Sequence, residues 1–147
     1  MNDIQLSKHF KLSEFTKSST AKKYHIDNTP TVEVISNLQA LCQNVLEPLR
    51  EYFNTPIIIS SGYRFPTLNN HPNARGATNS QHMKGEAADL HLPSIAIGRK
   101  WVEYLLEHGH FDHLIWEHDS SGNYWIHVSF KRIGKNRQLY TPNLLKK

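Results

Sequence analysis

Cysteine is almost absent from this 147-residue chain, which carries one, Cys42. A lone thiol closes no internal disulfide and builds no multi-cysteine zinc site. Its place among helical apolar residues makes it a small buried hydrophobe in preference to a nucleophile. Long apolar runs are missing too. The longest, Pro56-Ile57-Ile58-Ile59, is strand-sized, far short of the ~20 residues of a membrane-spanning helix. Met1 to Phe10 contains no basic segment followed by an apolar core, so no secretory signal is read there and synthesis in the cytoplasm is expected. Internal repeats and low-complexity tracts are also lacking.

What is present is ordinary for a globular chain: 38% apolar and 20% charged residues. The length suits one domain over residues 1–147, with a polar N-terminal arm at 1–30 and a basic tail at 133–147 that shows no obvious element. The net charge is +4 and the isoelectric point about 9.2, which makes contact with a polyanion conceivable in principle. The basic residues are scattered, however, with only small clusters at Lys22-Lys23, Lys131 to Arg137 and Lys146-Lys147. A solvated surface is the expectation for these, and a monomer without a nucleic-acid partner. Ten histidines are the more unusual feature.

In the arm, Phe10, Leu12 and Phe15 are placed to clamp a short turn, Ser13-Glu14-Phe15, onto the body. From Val32 to Phe53, Val34, Ile35, Leu38, Leu41, Val45, Leu49 and Phe53 recur at spacings of three and four and predict an amphipathic helix, capped by Thr31. Pro48 should kink it or end it early. Residues 57–61 read as a β-branched strand, 66–81 as a long polar loop, 87–92 as a second strand and 95–108 as a helix stopped by Gly109. Residues 113–117 and 124–130 form a hairpin around a turn centred near Ser121. The sum is an α+β fold: a small, mainly antiparallel sheet with helices packed on one side and a cleft left on the other.

The chemistry concentrates in Ser80-Gln81-His82-Met83-Lys84-Gly85-Glu86-Ala87-Ala88-Asp89. A catalytic zinc ion takes three nitrogen or oxygen ligands and leaves a fourth position open. His82 and Asp89 stand seven apart, with Gly85 between them to let the backbone turn and Ala87 and Ala88 too small to crowd an ion. On the second hairpin strand, Trp125, His127 and Ser129 share a face opposite Tyr124, Ile126, Val128 and Phe130. A histidine there is either a satisfied core residue or a ligand. With the turn at Ser121, odd-numbered residues of both strands share a face, which makes Glu117 a near neighbour of His127.

The pattern Ser-x-His-x-x-Gly-x-Ala-x-Asp over residues 80–89 resembles the signature of the D-Ala-D-Ala metallopeptidases, peptidase family M15, a group related in fold to the hedgehog signalling domain. Trp125-Ile126-His127-Val128-Ser129 is similar to that family's second zinc histidine and its strand. Ser60-Ser61-Gly62-Tyr63-Arg64 resembles the upstream turn that presents an arginine to substrate. The resemblance implies one zinc ion on His82, Asp89 and His127, with water activated by the metal as nucleophile. It also implies a peptidoglycan stem peptide with D-amino acids as substrate, with Arg64 gripping a carboxylate and Ser80 holding substrate or orienting His82. The better-known branch has an acid three residues before the second histidine. That position is Tyr124 here, so Glu117 is the expected general base, with Glu86, Asp112 and Asp119 as rivals.

The remaining histidines, His113 foremost among those to watch, are not expected to be ligands. The resemblance leaves exo- and endopeptidase action open. Without a signal segment, such an enzyme would reach the wall after release or by another export route, as phage-borne wall enzymes do. Two other classes stay in view: a non-catalytic zinc-stabilised binding module, in which Glu117 would be dispensable, and a metal nuclease. No basic helix or aromatic–basic interleaving supports the nuclease.

Overall fold

The computed structural model describes residues 3–71 and 80–146. Residues 72–79, half of the polar loop expected over 66–81, lie outside the described residues, and its first part, Pro66–Asn69, forms a short helix, α5. The N-terminal arm makes a two-stranded ribbon, β1 (Gln5–Ser7) and β2 (Phe10–Lys11), then two short helices, α1 (Ser13–Thr16) and α2 (Ser19–Lys23). Phe10 and Phe15 are fully buried, so the clamp read from their spacing is present. Glu47 ties this ribbon down. Its carboxylate accepts from Ser7 Oγ and the His9 backbone N–H and lies 2.6 Å from His9 Nδ1.

The long amphipathic helix spans Val32 to Phe53 in three pieces: α3 (Val32–Leu41), a π-helical turn (Cys42–Leu46) and α4 (Glu47–Phe53). Thr31 Oγ1 accepts from Val34 N and caps it. Pro48 does not end the helix. A proline clashes with the carbonyl four residues back and supplies no N–H to it, and the widened turn directly upstream gives that carbonyl room. Cys42 is fully buried and burial pushes its thiol up, as suits a packing residue and not a nucleophile.

A mixed five-stranded sheet follows in the order β3-β4-β6-β5-β7. Its members are β3 (Ile59–Ser61), β4 (Ala87–His91), β5 (His113–Asp119), β6 (Tyr124–Ser129) and β7 (Leu139–Lys146). The first four pair antiparallel, as the alternation of their residues implies. The exception is the C-terminal tail, expected to carry no element. It runs parallel to β5 as an edge strand with a register shift between Ile115 and Glu117. Its mostly exposed residues give no apolar alternation, and Pro142 lies inside it, a residue tolerated only at an edge or a bulge.

One face of the sheet is sealed. Ala88, Leu90, Leu114, Trp116, Ile126 and Val128 join Leu38, Leu41, Leu46 and Leu49 of the long helix in one apolar core. Trp101, Val102 and Leu105 of α6 (Ile95–His108) complete it, with Ser94 Oγ capping α6 through Ile97 N. The opposite face is left to polar side chains. Among the described residues no helix is long and apolar enough to cross a membrane.

Candidate metal centre and its cleft

Asp89 and His127 are directly paired across the β4–β6 ladder. Both point away from the apolar core, because Leu90 and Ile126, their chain neighbours, point into it. Asp89 Oδ1 lies 3.2 Å from His127 Nδ1. The third group arrives from a 3-10 turn, Gln81–Lys84, that precedes β4. Gly85 closes this turn at φ +71°, and a Cβ there would meet the Val34 carbonyl oxygen at 2.7 Å. The sharp turn read from Gly85 is therefore real and is pressed onto α3. Asn37 of α3 holds it by donating to the Lys84 carbonyl.

The turn brings His82 Nε2 to 3.3 Å from Asp89 Oδ1. His82 is 3% exposed, and its other nitrogen, Nδ1, donates to the Gly62 carbonyl at 2.6 Å. A carbonyl only accepts, so the proton sits on Nδ1 and Nε2 presents its lone pair to the cluster. Burial, chiefly, holds the His82 imidazole below its usual pKa, which favours this neutral form. Asp89 shows the opposite balance. Burial pushes its carboxyl up, but the His82 and His127 imidazoles outweigh that and hold it well below the usual carboxylate range.

These three ligand atoms all lie within 4.8 Å of one another. Ligands at ~2.0–2.1 Å from a tetrahedral ion stand about 3.3 Å apart, and both measured separations to Asp89 Oδ1 match that edge. The donor set of two imidazoles and one carboxylate is the kind found at catalytic zinc. A second group of potential ligands, His9, Glu47 and Glu51, is explained by the structural role of Glu47 described above.

Glu117 is 2% exposed and stands opposite Trp125 in the β5–β6 ladder, one step diagonal to His127. Its Oε1 accepts from Trp125 Nε1 at 3.0 Å and lies 3.8 Å from His127 Nδ1. Burial, reinforced by the Asp89 charge, raises its carboxyl above the ordinary value. The rivals are otherwise engaged. Asp119 accepts from Ser121 N and Asn123 N in the hairpin turn, Asp112 is bound twice by the Arg137 side chain, and Glu86 accepts from Gln81 Nε2.

Ser80 Oγ accepts from the His82 backbone N–H at 3.1 Å. Arg64 is buried. Its Nε donates to Ser61 Oγ at 3.2 Å, its Nη1 lies 3.4 Å from Asn69 Oδ1 and its Nη2 3.6 Å from Asp89 Oδ2. His113 stands back from the cluster, with Nε2 2.8 Å from Thr141 Oγ1. Sequence reasoning missed three contributors: the Gly62 carbonyl, Asn69 and Lys146. Lys146 lies on β7 with its Nζ 3.8 Å from Glu117 Oε2. A backbone carbonyl leaves no trace in residue identity, and Lys146 sits in a tail without periodicity.

Two cavities open on the cluster. One of about 400 Å³ is lined by His82, His113, Glu117 and His127, among others. A second of about 260 Å³ is lined by Asp89, Arg64, Trp125 and Lys17, among others. No curated protein matches the chain. A family model described as Peptidase M15 matches residues 8–129, from the N-terminal ribbon to the end of β6. That match spans most of the sequence, and the chain belongs to the peptidase M15 family of D-Ala-D-Ala metallopeptidases.

Proposed function

We propose that this chain is a zinc peptidase that hydrolyses D-amino-acid-containing peptide bonds of bacterial peptidoglycan stem peptides, as a D,D-carboxypeptidase or an endopeptidase. The supporting observation is the convergence of His82 Nε2, Asp89 Oδ1 and His127 Nδ1 beside a buried carboxylate in an open cavity. Peptidases of this family are metal-dependent, typically with zinc, and act on peptides. His82, Asp89 and His127 would hold the ion. When bound, zinc supplies Lewis acidity, polarising a carbonyl and acidifying water near neutral pH.

The chain's own residues supply the rest. Glu117 takes a proton from the attacking water as the new C–O bond forms, then delivers it to the amine nitrogen as the C–N bond breaks. Its raised basicity suits this work, and the Trp125 indole N–H fixes the oxygen nearest His127. The Gly62 carbonyl and Ser80 hold His82 in one orientation and one tautomer. Arg64 lines the smaller cavity, where a substrate carboxylate meets its guanidinium. The hedgehog-like character of the fold belongs to the same reading.

The test is incubation of purified muropeptides with the protein, with and without a chelator, and identification of the products by mass. Chelator-sensitive loss of D-alanine or scission of a cross-link supports the proposal. Intact muropeptides under zinc-replete conditions, or cleavage indifferent to the chelator, would overturn it.

A further inference from the structure

The two cavities are separate in outline but share one side chain, Lys146, which lines both. It is the last described residue of β7, beyond the end of the matched region at residue 129. The larger cavity holds His82, Glu117 and His127, and the smaller holds Asp89 and Trp125. A peptide lying across both would therefore pass the cluster at its middle, with Lys146 at the crossing.

The smaller cavity has a consistent chemistry. Three cationic side chains, Lys17, Arg64 and Lys146, line it together with the hydroxyl residues Ser18, Ser19, Thr20, Ser60 and Ser61, against the single carboxylate of Asp89. Asp89 already lies 3.3 and 3.2 Å from the His82 and His127 imidazoles. The Arg64 fork is turned inward to Ser61, Asn69 and Asp89. Lys146 is more available than Arg64: its side chain is 29% exposed and its ion pair with Glu117 is long, at 3.8 Å.

We propose that Lys146 is a specificity-determining residue, selecting peptides that carry a free carboxylate next to the scissile bond. The inference rests on the peptidase reading and deepens it by naming the substrate's charge. A flexible ammonium at the junction binds such a carboxylate as a point charge, beside the Arg64 guanidinium that lines the same cavity. The carboxylate is either the chain terminus or an acidic side chain, and the same cation serves both. The register shift in β7 matters here. It places Leu144 opposite Glu117 where an unshifted register would place Asn143, and it thereby sets which tail residue reaches the cleft.

The test measures both binding and turnover on the zinc-loaded protein with paired peptides. One pair is a D-alanyl-D-alanine-terminated tripeptide and its C-terminal amide. The other is a peptide containing D-glutamate and its D-glutamine counterpart. The wild type should favour the acid of at least one pair by about tenfold, seen in KM and in calorimetric affinity. The pair that shows it identifies the source of the carboxylate. Lys146→Ala should cut that ratio severalfold, and Lys146→Arg should restore most of it. An equal loss on acid and amide, or a ratio unchanged in Lys146→Ala, would overturn the role of Lys146 while leaving the peptidase reading intact. Acid-selective binding without any cleavage would support the subsite and remove the peptidase.

Discussion

The two faces of β6 contrast sharply although their residues alternate along one strand. Ile126 and Val128 are fully buried in the apolar core, held by area and shape. Trp125 and His127, one step away, face the cleft, where His82, Asp89, Arg64 and Glu117 are also nearly buried. Burying polar and charged groups costs stability unless each is partnered, and every one of these is. The core face therefore supplies stability, and the cleft face consumes some of it to hold reactive groups in fixed positions.

The strongest way to break this contrast is Glu117→Gln, which keeps shape and removes charge. Loss of the general base should lower kcat about 10²–10⁴-fold with bound metal retained. The raised carboxyl means that the folded state disfavours the ionised form, so the variant should be at least as stable as the wild type by thermal unfolding at neutral pH. A marked fall in melting temperature would place Glu117 among the structural residues.

Leu90→Ala probes the other face beside Asp89. It should cost about 2–5 kcal/mol in denaturant unfolding, while the molecules that remain folded keep the wild-type KM and metal content.

The smallest effect is expected where the faces meet the tail. Asp112 is fully buried and accepts from the Arg137 backbone and side chain, which fastens the segment leading into β7. Burial pushes its carboxyl up, but the Arg137 contacts and Lys131 outweigh this and hold it low. A folded-state pKa below the unfolded one contributes stability that is complete above the unfolded value, about 3.9. That contribution is lost as pH falls through the folded one. Asp112→Asn should therefore cost about 1–3 kcal/mol near neutrality, and its deficit should shrink as the pH drops below about 4. A deficit independent of pH would mean that Asp112 acts through shape alone.

The legibility of the sequence follows the same division. Where residues are placed by alternation or by helical spacing, as in α6 and in β4 to β6, the pattern is written in the chain. The shared face of Glu117 and His127 followed from counting about Ser121, and the ladder puts them one diagonal apart. The π-helical turn was signalled only by Pro48, because its widened geometry has no composition of its own. β7 was invisible: an edge strand with one covered side needs no alternation, and Pro142 interrupts what pattern there is. The Gly62 carbonyl that orients His82 is likewise silent, although Gly62 itself is required. A Cβ there would lie 2.6 Å from the Phe15 carbonyl oxygen.

The most direct measurement is metal content by elemental analysis, made alongside muropeptide turnover, on the wild type and on Asp89→Ala, His127→Ala and Glu117→Gln. About one zinc per chain is expected in the wild type and in Glu117→Gln, which should be inactive, with zinc and turnover both lost in Asp89→Ala and His127→Ala. Full zinc occupancy in Asp89→Ala and His127→Ala, or turnover surviving in them, would contradict the assignment of the metal to these side chains.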